Sequence, residues 1–139
     1  MNVKVKKLSN TAKIPKKHNI NDAAFDLFSN EDTIVRKGET KLISTGISLE
    51  IPPGYFGKIE SRSSLAKQGI FCTAGVIDSG YRGEVMIVTN NFGSTNFELI
   101  KGNRIAQMVF YKVEQVGLSE VEELDSQSDR GGGFGSSGD

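Results

Sequence analysis

The chain has 139 residues, 37% of them hydrophobic, which suits one domain with a real core and is too short for two. Its 17 Lys and Arg balance its 17 Asp and Glu, which excludes a global field able to hold nucleic acid or an anionic membrane, so any phosphate recognition must be local. Cys72 is the single cysteine and His18 the single histidine, so an intrachain disulfide and a zinc-ligand set are both excluded.

A reducing compartment is therefore expected: the cytoplasm, with the nucleus open if the source is eukaryotic or viral. The opening MNVKVKKLSN has no apolar h-region. No run approaches the ~18 apolar residues of a membrane span. A soluble chain without a secretory signal is the expectation.

Short runs rich in Val, Ile and Phe recur between Gly, Pro, Asn, Asp and Ser, with no internal repeat and no heptad. That pattern predicts an all-β sandwich or barrel. The predicted strands cover 2–8, 25–29, 33–36, 40–44, 47–51, 54–60, 85–90, 96–99 and 104–113. One short helix is predicted over 63–68: two serines precede Leu65, Ala66, Lys67 and Gln68, and Gly69 supplies the stop. The free N–H groups at such a helix start can take an anion, and Arg62 directly precedes them. A capped helix is nonetheless the commoner meaning of Ser61-Arg62-Ser63-Ser64 taken alone.

Residues 75–83, Gly-Val-Ile-Asp-Ser-Gly-Tyr-Arg-Gly, read as strand, polar turn and return strand, hence a β-hairpin with the Asp78 carboxylate at its turn. Asp78 there either caps its own backbone or orients and deprotonates a water, and spacing does not choose between the two. The run 101–109 is a turn entering an apolar strand with one amide, Gln107, inside it; a satisfied sheet-edge Gln is the default reading. From Asp125 the composition changes to DSQSDRGGGFGSSGD, which by itself predicts disorder. Its Arg, Phe, Ser and Gly would equally suit a tail that orders over a ligand. The expected division is a single β-barrel over 1–124 and a Gly/Ser-rich C-terminal arm over 125–139. His18 among lysines reads as a solvated loop, Cys72 as a buried thiol, Arg82 and Arg104 as structural ion pairs or subunit contacts, and the acidic cluster at 120–125 as a linker.

Taken in order, five segments resemble the motifs of the trimeric dUTP pyrophosphatase (dUTPase) family. They are Ala23-Ala24-Phe25-Asp26-Leu27, Ser61-Arg62-Ser63-Ser64-Leu65-Ala66, Gly75 through Gly83, Gly102-Asn103-Arg104-Ile105-Ala106-Gln107, and Arg130 through Gly138. The arm departs from the family pattern by one residue, since only three glycines separate Arg130 from Phe134. Ser61 and Ser64 stand where many members have Pro and Gly.

The resemblance implies a distorted jelly-roll barrel, a homotrimer with shared active sites, and Mg²⁺-assisted hydrolysis of dUTP to dUMP and pyrophosphate. That reaction limits uracil incorporation into DNA and supplies dUMP for dTMP synthesis. By the same analogy Gly75, Val76, Ile77 and Met86 hold the uracil, and Tyr81 packs on the deoxyribose, excluding a ribose 2′-hydroxyl. Arg62, Ser63, Ser64 and Gln107 engage the phosphates, with Asp26 in support. Asp78 holds the attacking water. Arg130, Gly135, Ser136 and Ser137 close on the phosphate end while Phe134 stacks on the base. Magnesium is expected to be held through substrate phosphates and water, with no direct protein ligand.

Two rivals were weighed. A dCTP deaminase-like enzyme shares the fold and a similar second motif but carries a catalytic Glu on the strand after the hairpin. Here that strand reads Val85-Met86-Ile87-Val88-Thr89, with Glu84 too near the turn. A non-catalytic nucleotide-sensing trimer would lack Asp78 or the arm, and both are present.

Overall fold

The structure is a computed structural model that describes residues 1–135. Among these, eleven strands and one helix follow in the order β1 (Lys4–Lys7), β2 (Phe25–Phe28), β3 (Thr33–Val35), β4 (Thr40–Ser44), β5 (Ile47–Glu50), β6 (Tyr55–Glu60), α1 (Ser63–Ala66), β7 (Ile70–Thr73), β8 (Val76–Ile77), β9 (Met86–Asn91), β10 (Phe97–Leu99) and β11 (Arg104–Lys112). They form two larger sheets, β2-β11-β6-β8 and β4-β9-β7, and two ribbons, β1-β5 and β10-β3. Every pairing is antiparallel, and none joins strands adjacent in sequence. Each connection therefore crosses between layers, the wiring of a jelly roll.

The core lies where the sheets face each other. Leu27, Val35, Ile43, Val85, Ile87 and Ile105 are fully buried there, and Met108 and Ile51 nearly so. In β4 the alternation that sequence leads one to expect is visible: Ile43 is buried while Thr40 and Leu42 on the opposite face are exposed. Burying one such aliphatic side chain contributes about 1.5–3 kcal/mol, so this cluster supplies the main drive for closure.

The longest strand, β11, runs between β2 and β6 and sets the geometry of everything that follows. Its register shifts between Arg104 and Ala106: Ala106 faces Leu27 while Arg104 faces Phe28. Ile105 is the extra residue of a β-bulge. Three residues apart, Arg104 and Gln107 would point to opposite faces of a regular strand; the bulge returns both to the face of Asp26.

Three expectations are corrected. Residues 75–83 do not form a two-stranded hairpin, because β8 pairs with β6 and β9 pairs with β4 and β7. The chain between them is held to β5 of the β1-β5 ribbon: Arg82 Nη1 donates to Leu49 O at 3.5 Å and, within the segment, to Ser79 O at 2.6 Å, and Val85 N donates to Ile47 O at 2.9 Å. Gln107 lies on a central strand rather than a sheet edge. The helix ends at Ala66, earlier than predicted, with Lys67 as its last cap.

Gly69 then adopts φ +88, and a Cβ there would lie 2.5 Å from Gly93 N. Only glycine fits that approach. The facing loop is fixed by buried Asn91, whose Nδ2 donates to Val35 O and Thr95 O and whose Oδ1 accepts from Gly93 N, each at 2.9 Å. The end of α1 is thus docked on a rigid corner.

Candidate active site

A polar cleft of about 510 Å³ opens where β2, β11 and the start of α1 meet. It is lined by His18, Asp22, Ala23, Ala24, Asp26, Arg62, Ser63, Ser64, Arg104, Gln107 and Val109. Cross-strand register explains the convergence. Gln107 faces Asp26 on one side and Glu60 on the other, and the chain continues from Glu60 directly into Ser61 and Arg62.

Hydrogen bonds lock that turn. Gln107 Nε2 donates to Ser61 O at 3.0 Å, and Ser61 Oγ accepts from Cys72 N at 2.8 Å. The hydroxyl at 61 thus ties the loop to β7. Burial pushes the neighbouring Cys72 thiol up to about 11, which keeps it protonated and inert behind the cleft.

Charge in the cleft is partly committed. Arg104 Nε pairs with Asp26 Oδ2 at 3.2 Å, and Asp22 Oδ2 accepts from Asn19 N at 2.8 Å. The Arg62 guanidinium makes one long contact, to Arg104 O at 3.4 Å. The Ser63 and Ser64 hydroxyls have no hydrogen-bond partner among the described residues. One guanidinium and two hydroxyls therefore remain available to an anion.

The residues expected to hold a base and a water are not in this cleft. Gly75, Val76 and Ile77 lie along β6: a Cβ on Gly75 would come 2.5 Å from Ile59 O, and Ile59 N donates to Gly75 O at 2.8 Å. Val76 is 60% exposed and Tyr81 44%. Tyr81 Oη donates to Glu84 O at 2.8 Å, which lays the ring over Gly83. Met86 begins β9 opposite Ser44.

Asp78 is exposed, and its carboxylate accepts no hydrogen bond among the described residues. The contrast with the other aspartates is informative. Asp22, Asp32, Asp125 and Asp129 each accept a backbone N–H, and Asp26 is paired with Arg104. Asp78 is held by its backbone, through Tyr81 N to Asp78 O at 3.1 Å, and its carboxylate is left free.

Beyond β11 the described residues 113–135 form no strand and are exposed except for half-buried Gly133. Arg130, Phe134 and Gly135 lie outside the cleft, and Ser136 and Ser137 fall outside the described residues. The exposed apolar side chains of this stretch include Val116, Leu118, Val121 and Leu124.

Arg104 and Arg82 make the ion pairs expected of them, to Asp26 and, at 3.9 Å, to Glu50. His18 is an exposed loop residue, as expected, and it also lines the cleft. An isolated bridge between Lys16 and Asp26 folds its segment back, and nothing in its charged neighbours signals that pairing. No group of three His, Cys, Asp or Glu is placed to hold a metal ion among the described residues. The cleft's hydroxyls, amide and guanidinium fit a cation that arrives on phosphate oxygens, not one held in a carboxylate cage.

A jelly roll with a polar, phosphate-sized cleft at a strand-to-helix turn defines a class of nucleotide-handling β-barrels. The family model for dUTPase matches residues 10–138. The chain belongs to the dUTPase family. It is 49% identical over 142 residues to the deoxyuridine 5'-triphosphate nucleotidohydrolase of Nautilia profundicola, covering 99% of both chains. Against that of Clostridium tetani it is 48% identical over 140 residues, covering 98% of this chain and 96% of the relative. Among solved structures, the Staphylococcus bacteriophage 80alpha dUTPase with dUPNHPP superposes with a TM-score of 0.91 at 31% identity, covering 99% of this chain and 98% of that one. The dUTPase of phage phi11 of S. aureus, in a structure describing the coordination of a structural Mg(II) ion, matches at 25% identity with a TM-score of 0.83, covering 91% and 100%.

Proposed function

We propose that this chain hydrolyses dUTP to dUMP and pyrophosphate, and that it does so as a homotrimer whose sites are completed between subunits. The observation that carries the reading is the division of labour among polar groups. Arg62, Ser63, Ser64 and Gln107 are gathered in one cleft, where both serine hydroxyls are without a partner among the described residues and the guanidinium makes one long contact, while Asp78 sits elsewhere with a carboxylate that no described neighbour occupies.

In this reaction the phosphates lie in the cleft against Arg62, Ser63 and Ser64. Gln107 keeps the turn at Ser61 in place, and Asp26 holds Arg104 beside it. A second subunit presents Asp78, which takes a proton from a water as the water oxygen attacks the α-phosphorus. The bond from that phosphorus to the α–β bridging oxygen breaks, and pyrophosphate leaves. Arg62, Ser63 and Ser64 would hold the phosphates that carry magnesium, which when bound would supply charge neutralisation for the leaving pyrophosphate.

Backbone groups of Gly75, Val76 and Ile77, with Met86, read the uracil edge, and Tyr81 excludes a 2′-hydroxyl. The unit spanning 1–124 serves as the barrel and 125–139 as an arm. From this arm Arg130, Gly135, Ser136 and Ser137 close on the phosphates, and Phe134 closes on the base. Deamination is disfavoured because Glu84 is committed, accepting from Ser44 Oγ at 2.6 Å.

The test is pyrophosphate release with Mg²⁺ from dUTP, dCTP, dTTP and UTP in parallel, for the full chain and for a chain ending at Ser128, with sedimentation equilibrium for the assembly. Release from dUTP alone by a trimer, lost on truncation, is the expected result. Release from every nucleotide, or from a monomer, overturns the reading.

A further inference from the structure

The cleft holds two polar side chains that lie outside the motifs, Asp22 and the exposed His18. His18 lines it together with Arg62, Ser63, Ser64 and Gln107, and it also lines a smaller adjoining space of about 110 Å³ with Lys16, Lys17, Asp26, Phe28 and Arg104. Two short-range devices hold it there. On its N-terminal side, Lys16 and Asp26 exchange backbone hydrogen bonds at 3.3 and 2.8 Å. On its C-terminal side, residues 19–22 close a turn, with Asn19 N donating to Asp22 Oδ2 and Asp22 N donating to Asn19 O.

Asp22, Asp26, Arg104 and Lys17 around His18 have fixed partners for their side chains and it has none. From β2, Asp26 is neutralised by Arg104 of β11; on the same segment Asp22 is taken by Asn19; Lys17 sits over the Phe25 ring, 5.0 Å from its centroid. Lys16 uses its backbone for the bridge. The imidazole makes no hydrogen bond among the described residues. Arg62 is then the one cation of the cleft wall without a carboxylate partner. A triphosphate carries more charge than one guanidinium balances, and histidine is the side chain able to add a second positive donor on demand near neutral pH.

We infer that His18 is a further substrate-binding residue of the dUTP site: its imidazole donates to the polyphosphate end of the nucleotide. The inference rests on the reading above, in which the cleft takes the phosphates. His18 acts on binding and takes no part in the proton transfer to Asp78. It is blind to the base and to the α-phosphate alone.

The experiment compares wild type, His18→Ala and His18→Gln at one fixed pH. It measures kcat and KM for dUTP, and equilibrium binding of dUMP and of the non-hydrolysable analogue dUPNHPP. His18→Ala should raise KM for dUTP about three- to tenfold, with kcat within about twofold, and lower dUPNHPP affinity to match. Affinity for dUMP should not move. His18→Gln, which keeps a neutral donor, should give a smaller loss.

Equal losses for dUMP and dUPNHPP would make His18 a purely structural residue and overturn the inference. A wild-type chain that binds dUPNHPP but does not hydrolyse dUTP would overturn the proposed reaction instead, while the binding comparison would still decide the role of His18.

Discussion

Two regions of this molecule, both rich in motif residues, are in opposite states. The cleft formed by Asp26, Arg62, Ser63, Ser64 and Gln107 is assembled within one chain, its turn locked by Gln107 and Ser61 and its carboxylate paired with Arg104. The 75–86 segment presents Val76, Asp78 and Tyr81 outward, each exposed. A preorganised half and a displayed half are what the proposed sharing of a site between chains requires. Under that proposal the phosphate end is rigid because it is built on β2 and β11, whereas the base and water end faces a surface that a neighbour can reach.

The sharpest way to break this comparison is to cripple each half separately. Asp78→Asn and Arg62→Ala should each lower kcat/KM by about a thousandfold. Mixing the two variants through an unfolding and refolding step should then restore activity at about a quarter of the sites, by random assortment of intact cleft and intact loop from different chains. No recovery in the mixed refolding assay would mean that each chain uses its own loop, and the division into halves would fall.

Next in size is the chemistry behind the cleft. With its thiol pushed up to about 11, Cys72 should react with an alkylating reagent at pH 8 about a hundredfold more slowly in the native protein than in denaturant. The sign of the linked pH effect follows. The folded state keeps its proton above the point where the unfolded thiol loses one, so stability should fall as pH rises from about 9 towards 11. Cys72→Ala should flatten that decline in alkaline denaturation curves.

Smaller effects probe the joint between the regions. Gly75→Ala should cost about 1–3 kcal/mol in urea denaturation, because its methyl would meet Ile59 O and push β8 off β6. Ala74, one residue earlier, adopts φ 53, where a side chain is strained. Ala74→Gly should stabilise the chain by about 1 kcal/mol in the same assay, and a loss instead would mean that the methyl packs usefully.

Much of this architecture was legible in the residues, because β-branched runs and Gly-rich punctuation mark strands whatever their partners. Partners are another matter. The residues around Asp78 carry every local sign of a hairpin, yet β8 and β9 enter different sheets, since Arg82 and Val85 bind the crossing chain to β5 at long range. The link of β7 to Ser61 could not be read from Ile70–Thr73, four residues following a helix stop. That Asp26, Arg62, Ser63, Ser64 and Gln107 belong together was legible through the order of the motifs. The placement of His18 was not, because it depends on a backbone bridge between Lys16 and Asp26, ten positions apart, that has no side-chain signature.

The bulge at Ile105 carries a consequence for how this strand can change over generations. Arg104 and Gln107 share a face only because one residue is surplus to the ladder. Removing Ile105 would leave a regular ladder in which Arg104 and Gln107, then two apart, keep the same face, but it would take a fully buried side chain out of the core. A codon lost there would thus spare the pairing with Asp26 and be selected against through stability alone.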